Sequence, residues 1–296
     1  MPRELGRLLT AMVTPMNADG SVNYPAAAQL ARRLVDTGSD GVVVCGTTGE
    51  SPTLSDEEKL RLFETVVQAL EGRAAVVAGT GTYDTHHSVE LTRQAERLGV
   101  DGILAVVPYY NRPPQEGLVR HFTAIAESTT LPVILYNIPS RTGTNMAPET
   151  VARLVERLPN VAALKDSTGN MDHVSQVRKL TPPTFRIYSG DDSLTLPILA
   201  IGGYGVVSVA SHVAGMPIRE MIQAFVAGRW QQALELHLRL FPLCRALFVT
   251  TNPIPVKRAL QLSGFDAGPP RLPLVEAGEA ETRVIREAMA QAGLLG

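Results

Sequence analysis

Short apolar runs rich in Val, Ile and Ala recur eight times over the first three quarters of the chain. They are LLTAMV from Leu8, GVVVC from Gly41, AAVVAG from Ala74, GILAVV from Gly102, PVILYN from Pro132, VAALK from Val161, FRIYSG from Phe185 and GVVSVA from Gly205. The runs are continuous rather than alternating, as in strands of a parallel sheet buried on both faces. Between them the apolar positions take a helical period. After Ser55, residues Leu60, Phe63, Val66, Val67 and Leu70 share one face, and Ser55 with Glu58 fits a capping box. Similar amphipathic stretches cover 25–35, 89–98, 117–126, 151–158 and 174–180.

Such alternation calls for a parallel sheet with right-handed crossovers. Eight units in about 225 residues fit a (β/α)8 TIM barrel, although a doubly wound sheet has the same alternation. Beyond residue 228 the strand runs stop. Helical periods cover 229–248, 255–262 and 276–294, and GFDAGPPRLP reads as a loop. The expected organisation is a barrel over 1–228 and a small helical domain over 229–296.

Composition narrows the function classes. The 296 residues are 45% hydrophobic and 19% charged, with a formal net charge of -2. That balance supports a core and gives no electrostatic case for nucleic acid or an anionic membrane surface. Two cysteines, Cys45 and Cys244, cannot build a disulfide framework or a four-cysteine zinc site. The opening MPRELGRLLTAMVTP lacks the pattern of a signal peptide, and no apolar stretch approaches the roughly 18–20 residues of a membrane helix. A cytoplasmic protein is expected.

In barrels the reactive groups project from the C-terminal ends of the strands. The sequence places there Thr14, then GTTGES from Gly46, Gly79-Thr80-Gly81, Pro108-Tyr109-Tyr110-Asn111, Tyr136-Asn137 with Arg141-Thr142-Gly143, Lys165-Asp166-Ser167, and Ser189-Gly190-Asp191-Asp192. Lys165 ends an apolar strand. It either snorkels to solvent or pairs with Asp166, or it is a desolvated amine that attacks a ketone. GTTGES is either a tight strand-to-helix turn or a backbone cradle for a carboxylate or phosphate. Tyr136 is a packed aromatic or a proton carrier, and Arg141 is a surface charge or a bidentate carboxylate anchor. Adjacent His86 and His87 diverge on a helix and chelate nothing. Asp191 and Asp192 read as helix N-caps, and no P-loop or GxGxxG is present.

Together, in this order and spacing, GTTGES, PYYNRP, YNIPSRTG, ALKDSTGN, YSGDD and GVVSV closely resemble the dihydrodipicolinate synthase and N-acetylneuraminate lyase superfamily, from Gly6 to the C-terminal helices. Within it the chain looks most like the dihydrodipicolinate synthases, which join pyruvate and L-aspartate 4-semialdehyde on the way to diaminopimelate and lysine. The resemblance implies a Schiff-base lysine at Lys165, a proton-shuttling tyrosine at Tyr136, and a hydroxyl relay completed by Thr47 and Tyr110. It implies pyruvate-carboxylate binding at Thr48 and Thr47, aldehyde-carboxylate binding at Arg141, and pocket walls at Gly190 and Val207. No cofactor or metal is implied beyond pyruvate held covalently on lysine. Tyr110 is implied to reach a neighbouring subunit's site, hence at least a dimer and usually a tetramer of two dimers. Arg141 and the Tyr109-Tyr110 pair favour a synthase over a pyruvate-dependent lyase of 2-keto-3-deoxy sugar acids or 4-hydroxy-2-oxoglutarate. A catalytically silent binding barrel requires a broken relay, and these residues are all present. Lysine-inhibited members differ near Asp56, Lys59, Tyr83 and His87, so strong lysine feedback is not expected here.

Overall fold

The computed structural model describes residues 4–295. Eight strands pair in chain order, all in parallel: β1 (Leu8–Ala11), β2 (Gly41–Val44), β3 (Ala75–Gly79), β4 (Gly102–Val106), β5 (Val133–Asn137), β6 (Val161–Asp166), β7 (Arg186–Ser189) and β8 (Gly205–Ser208). Leu9 lies opposite Gly41 on one side and Val207 on the other, which closes the barrel and decides against an open, doubly wound sheet.

Among the described residues, twelve α-helices surround or follow the strands. They are α1 (Tyr24–Asp36), α2 (Asp56–Leu70), α3 (Thr85–Arg97), α4 (Gln115–Glu127), α5 (Pro139–Thr142), α6 (Pro148–Arg157), α7 (Met171–Leu180), α8 (Thr195–Ala200), α9 (Ser211–Val226), α10 (Trp230–Ala246), α11 (Ile254–Leu262) and α12 (Glu279–Gln291). Successive strand residues point to opposite faces. Leu9, Val43, Val77, Leu104, Ile134, Ala163 and Val207 therefore fill the barrel interior as one cluster. Their strand neighbours, among them Leu8, Val44, Ile103, Leu135 and Leu164, join the apolar faces of the helices in the outer layer. Both faces are dry, which is why the strand runs are continuous.

Helix starts lie upstream of their first apolar residue because polar caps set them. Asp84 accepts from the His87 amide and starts α3 four residues before Val89. Asn170 accepts from Asp172 and His173 and starts α7. The Ser55–Glu58 capping box is present in full. Three helices carry too little pattern to be expected: α5 and α8 are short, and α9 contains Gly215, Pro217 and a non-helical turn at Ala214. The N-cap reading of Asp192 is overturned. Its buried carboxylate accepts from Ser208 Oγ and from the amides of Val209 and Ala210, tying β7 to the start of α9.

Candidate active site

Strand alternation settles where Lys165 points. Ala163 lies in the barrel interior and Leu164 in the outer layer, so Lys165 faces inward and Asp166 outward. The register sets Lys165 between Tyr136 of β5 and Tyr188 of β7. Its side chain is 5% exposed, with Nζ 4.1 Å from the centroid of the Tyr136 ring. Neither bland reading survives, because Lys165 does not reach solvent and Asp166 is engaged elsewhere.

Asp166 Oδ1 accepts from the Thr168 amide at 3.0 Å and from Thr168 Oγ1 at 2.7 Å, while Oδ2 lies 3.0 Å from His173 Nδ1. The other ring nitrogen of His173 is 3.0 Å from the Met146 carbonyl. A carbonyl only accepts, so Nε2 carries a proton, and a carboxylate at Nδ1 favours a second one. Burial works against that charge; Asp166 and the carbonyl outweigh it and hold the His173 pKa above its ordinary value. Lys165 thus stands on a strand end whose outer side is a buried contact between Asp166 and His173.

A cavity of about 230 Å³ opens beside Tyr136 at the C-terminal rim, with Thr47, Tyr109 and Arg141 among its walls. Thr47 belongs to the GTTGES loop, which is bracketed by two non-glycine residues in left-handed conformation, Cys45 (φ 56°) and Glu50 (φ 59°). Such backbone persists only where its surroundings hold it. The Glu50 carboxylate is buried against Lys257 Nζ at 2.7 Å and accepts from the Arg271 amide at 2.8 Å. At Gly79 a Cβ would stand 2.4 Å from the Cys45 carbonyl oxygen, so only glycine lets β3 approach the loop.

Thr48 is buried behind Thr47, and its Oγ1 accepts from Asn252 Nδ2 at 2.9 Å. Arg141 Nη2 donates to the Asn252 carbonyl at 3.3 Å. Asn252 lies between two expected helices in the unpatterned stretch TTNP, and no periodicity marks it. Gly190 lies against Lys165: a Cβ there would stand 1.9 Å from Ser167 Oγ and 3.1 Å from Lys165 Cε. Val207 is fully buried in the barrel interior. Burial pushes the neighbouring Asp191 carboxyl above the usual carboxylate range, against the pull of Lys165.

Of the expected site residues, Thr47, Tyr136 and Arg141 line the cavity; Lys165, Thr48, Gly190 and Val207 are packed against or behind its walls, and Tyr110 points away from it. Tyr110 is 93% exposed, with φ 73°, and Arg112 two residues on is also left-handed at 46°. This strained turn thrusts Tyr110 outward, while Tyr109 packs edge-to-face on Tyr83 with ring centroids 5.3 Å apart. Among the described residues, no group of three or more His, Cys, Asp or Glu could hold a metal ion, and no helix is long and apolar enough to cross a membrane.

A family profile described as the dihydrodipicolinate synthetase family matches residues 4–292. This chain belongs to that family. It is 58% identical over 295 residues to the 4-hydroxy-tetrahydrodipicolinate synthase of Desulforudis audaxviator, covering 100% of both chains. The enzyme of that name from Thermosynechococcus vestitus is 57% identical over 293 residues, covering 99% of each. Among solved structures, dihydrodipicolinate synthase from Cyanidioschyzon merolae with lysine bound superposes with a TM-score of 0.97 at 48% identity, covering 98% of this chain and 99% of that one. The barrel that carries the inward lysine and the rim cavity is thus shared with a solved structure of the same family.

Proposed function

We propose that the chain is a 4-hydroxy-tetrahydrodipicolinate synthase, condensing pyruvate, held as a Schiff base on Lys165, with L-aspartate 4-semialdehyde. The observation that carries the reading is the side-by-side placement of Lys165 and Tyr136 on the inner face of the rim, beside a cavity that also reaches Thr47 and Arg141.

Each residue has a role suited to its position. Lys165 Nζ adds to the ketone carbon of pyruvate, and loss of water leaves an iminium. The iminium draws electrons, so the pyruvate methyl loses a proton without a metal, and the resulting enamine carbon adds to the aldehyde. The amine of the second substrate then displaces Lys165 from the ketone-derived carbon. Every step moves a proton, and a tyrosine hydroxyl is by itself a poor base at pH 7. A chain of hydroxyls from Tyr136 through Thr47 to Tyr110 of a second copy carries the proton onward. Thr48 and Thr47 bind the pyruvate carboxylate, Arg141 takes the carboxylate of the aldehyde, and Gly190 and Val207 shape the wall around Lys165. The reaction needs no cofactor beyond the covalent pyruvate adduct. The exposed Tyr110 supports a homotetramer built from two dimers. The absence of a membrane-spanning helix among the described residues and the biosynthetic reaction support a cytoplasmic enzyme.

Borohydride added with pyruvate is expected to attach a three-carbon unit to the peptide containing Lys165, and an unmodified peptide overturns the mechanism. Turnover of pyruvate with aspartate semialdehyde, run beside cleavage of 2-keto-3-deoxy sugar acids, decides the substrate. Asp56 holds His87 Nε2 at 2.7 Å and Lys59 Nζ at 3.6 Å on the outer rim. With both side chains committed there, millimolar lysine is expected to leave the rate unchanged, and strong inhibition at lower lysine would contradict that.

A further inference from the structure

Asn252 touches two residues that the proposed function assigns to different substrates. Its side-chain amide donates to Thr48 Oγ1 at 2.9 Å, on the pyruvate-carboxylate side. Its backbone carbonyl accepts from Arg141 Nη2 at 3.3 Å, on the aldehyde-carboxylate side. One buried residue, 6% exposed, thus spans the loop after β2 and the helical turn α5 after β5. Among the described residues no direct hydrogen bond joins Thr48 to Arg141. We propose that Asn252 is a positioning residue that sets the two carboxylate anchors at a fixed separation, so that one contact from outside the barrel orients both substrates. The inference rests on the proposed synthase reading.

Three observations support it. First, the bond at Thr48 fixes what that hydroxyl does. The Asn252 amide fills one lone pair of Thr48 Oγ1, leaving the hydroxyl hydrogen free to donate to a bound carboxylate. Without the amide, Oγ1 is buried and free to rotate, and its donor is no longer aimed.

Second, Asn252 is itself anchored. Five residues on, Lys257 is buried in its ion pair with Glu50, the left-handed residue that ends the turn of the GTTGES loop. Lys257 also donates to the Pro269 carbonyl at 3.0 Å. Arg271 reaches the same loop through its amide on Glu50, and the following helix α2 through Nη1 on Glu58 Oε2 at 2.8 Å. The segment carrying Asn252 is therefore fastened to the barrel rim on the side of Thr48, and Arg141 is the group it steers.

Third, Arg141 needs such steering. Its side chain lies on the cavity wall, and no carboxylate of this chain pairs with it among the described residues. A long flexible guanidinium with one backbone contact is poised by that contact alone, and losing it weakens the hold on a substrate carboxylate by about the energy of one hydrogen bond.

The test is steady-state kinetics of Asn252→Ala with both substrates varied, beside Thr48→Val. Removing the amide at Thr48 is expected to raise KM for pyruvate and, through a shift of the backbone carbonyl that remains and holds Arg141, KM for aspartate semialdehyde as well. Each rise should be about three- to ten-fold, the size of one lost hydrogen bond, with kcat changed less than about two-fold. Thr48→Val should raise the aldehyde KM too, although Thr48 is not the aldehyde's anchor, and Asn252→Ala added to it should raise that KM no further. If Asn252→Ala moves only the pyruvate KM, or if the two substitutions add in full, the coupling is wrong. Should Asn252→Ala fail to give a cooperative thermal transition, the aldehyde KM of Thr48→Val decides alone. Borohydride trapping of pyruvate on Lys165 in the parent enzyme separates the outcomes: lost trapping there sinks the synthase reading, whereas intact trapping with unmoved KM values sinks only the role of Asn252.

Discussion

At the scale of single residues, the site depends on close approach more than on the strength of any one bond. Gly190 shows this. A methyl group there would stand 1.9 Å from Ser167 Oγ and 3.0 Å from the Asp166 carbonyl oxygen, as well as 3.1 Å from Lys165 Cε. The serine hydroxyl can turn away, but the carbonyl is fixed in the β6–β7 ladder, where Gly190 donates to it at 2.7 Å. Gly190→Ala therefore has to displace the Lys165 side chain. A fall in kcat/KM of about ten-fold or more is expected, since each tenfold corresponds to only about 1.4 kcal/mol of misplaced transition-state contact. Thermal melting beside the kinetics checks that the fold is intact. Lys165 shows the limit of reading residues one at a time: position at a strand end left solvent exposure, pairing with Asp166 and catalysis all open. Alternation along β6 then sent Lys165 inward and Asp166 to His173.

At the scale of elements, the strained GTTGES loop is held from outside the barrel. Glu50 and Lys257 are both almost fully buried, and breaking such a pair from one side leaves a charge without a partner. Lys257→Met is expected to destabilise the protein by about 3–5 kcal/mol, read as a lower urea midpoint at unchanged slope. The double variant Glu50→Gln with Lys257→Met should recover part of that loss, because no buried charge then remains. A smaller penalty in the double variant distinguishes electrostatics from lost packing. The strands were legible because both of their faces are dry. Helices α8 and α9 were not, because six residues are too few for a period and a glycine, a proline and a kink interrupt the other. The division of the chain at residue 228 marks where strand signal ends, yet α11 and the segment before it reach back to the rim.

At the scale of the whole molecule, two properties can be measured. The first is stability against pH. Burial holds His121 and His212 near a pKa of about 4, well below the ordinary 6.5. His212 is fixed as a neutral ring, with Nε2 accepting from the Val13 amide and Nδ1 donating to the Val209 carbonyl. The unfolded chain binds protons at these rings before the folded one does. Their contribution is therefore present above about pH 6.5 and is lost as pH falls towards about 4, by up to about 1.4 kcal/mol per pH unit for each ring. His173, with its raised pKa, has the opposite sign and loses its contribution as pH rises through its folded value. Thermal melting across pH 4–8 should show the acid-side loss, reduced in His121→Gln. The second property is the assignment of Tyr110 to a neighbouring site. Lys165→Ala and Tyr110→Ala are each expected to be nearly inactive. Mixing and reassembling the two should restore activity, because hybrid dimers contain one site with both Lys165 and the partner's tyrosine. No recovery in reassembled hybrids would return Tyr110 to its own chain.

The sequence by itself determined the alternation of dry strands and amphipathic helices, the C-terminal rim on which the polar motifs lie, and the family those motifs resemble. Each of these follows from local spacing, and local spacing is written in the order of residues. Tertiary structure decided the closure of the barrel, because pairing Leu9 with Val207 joins residues nearly two hundred positions apart. It also decided the partners of buried polar groups: Asp166 with His173, Asp192 with the start of α9, Glu50 with Lys257, and Asn252 between Thr48 and Arg141. A buried charge must find a partner wherever the fold brings one, and no periodicity along the chain says where that will be.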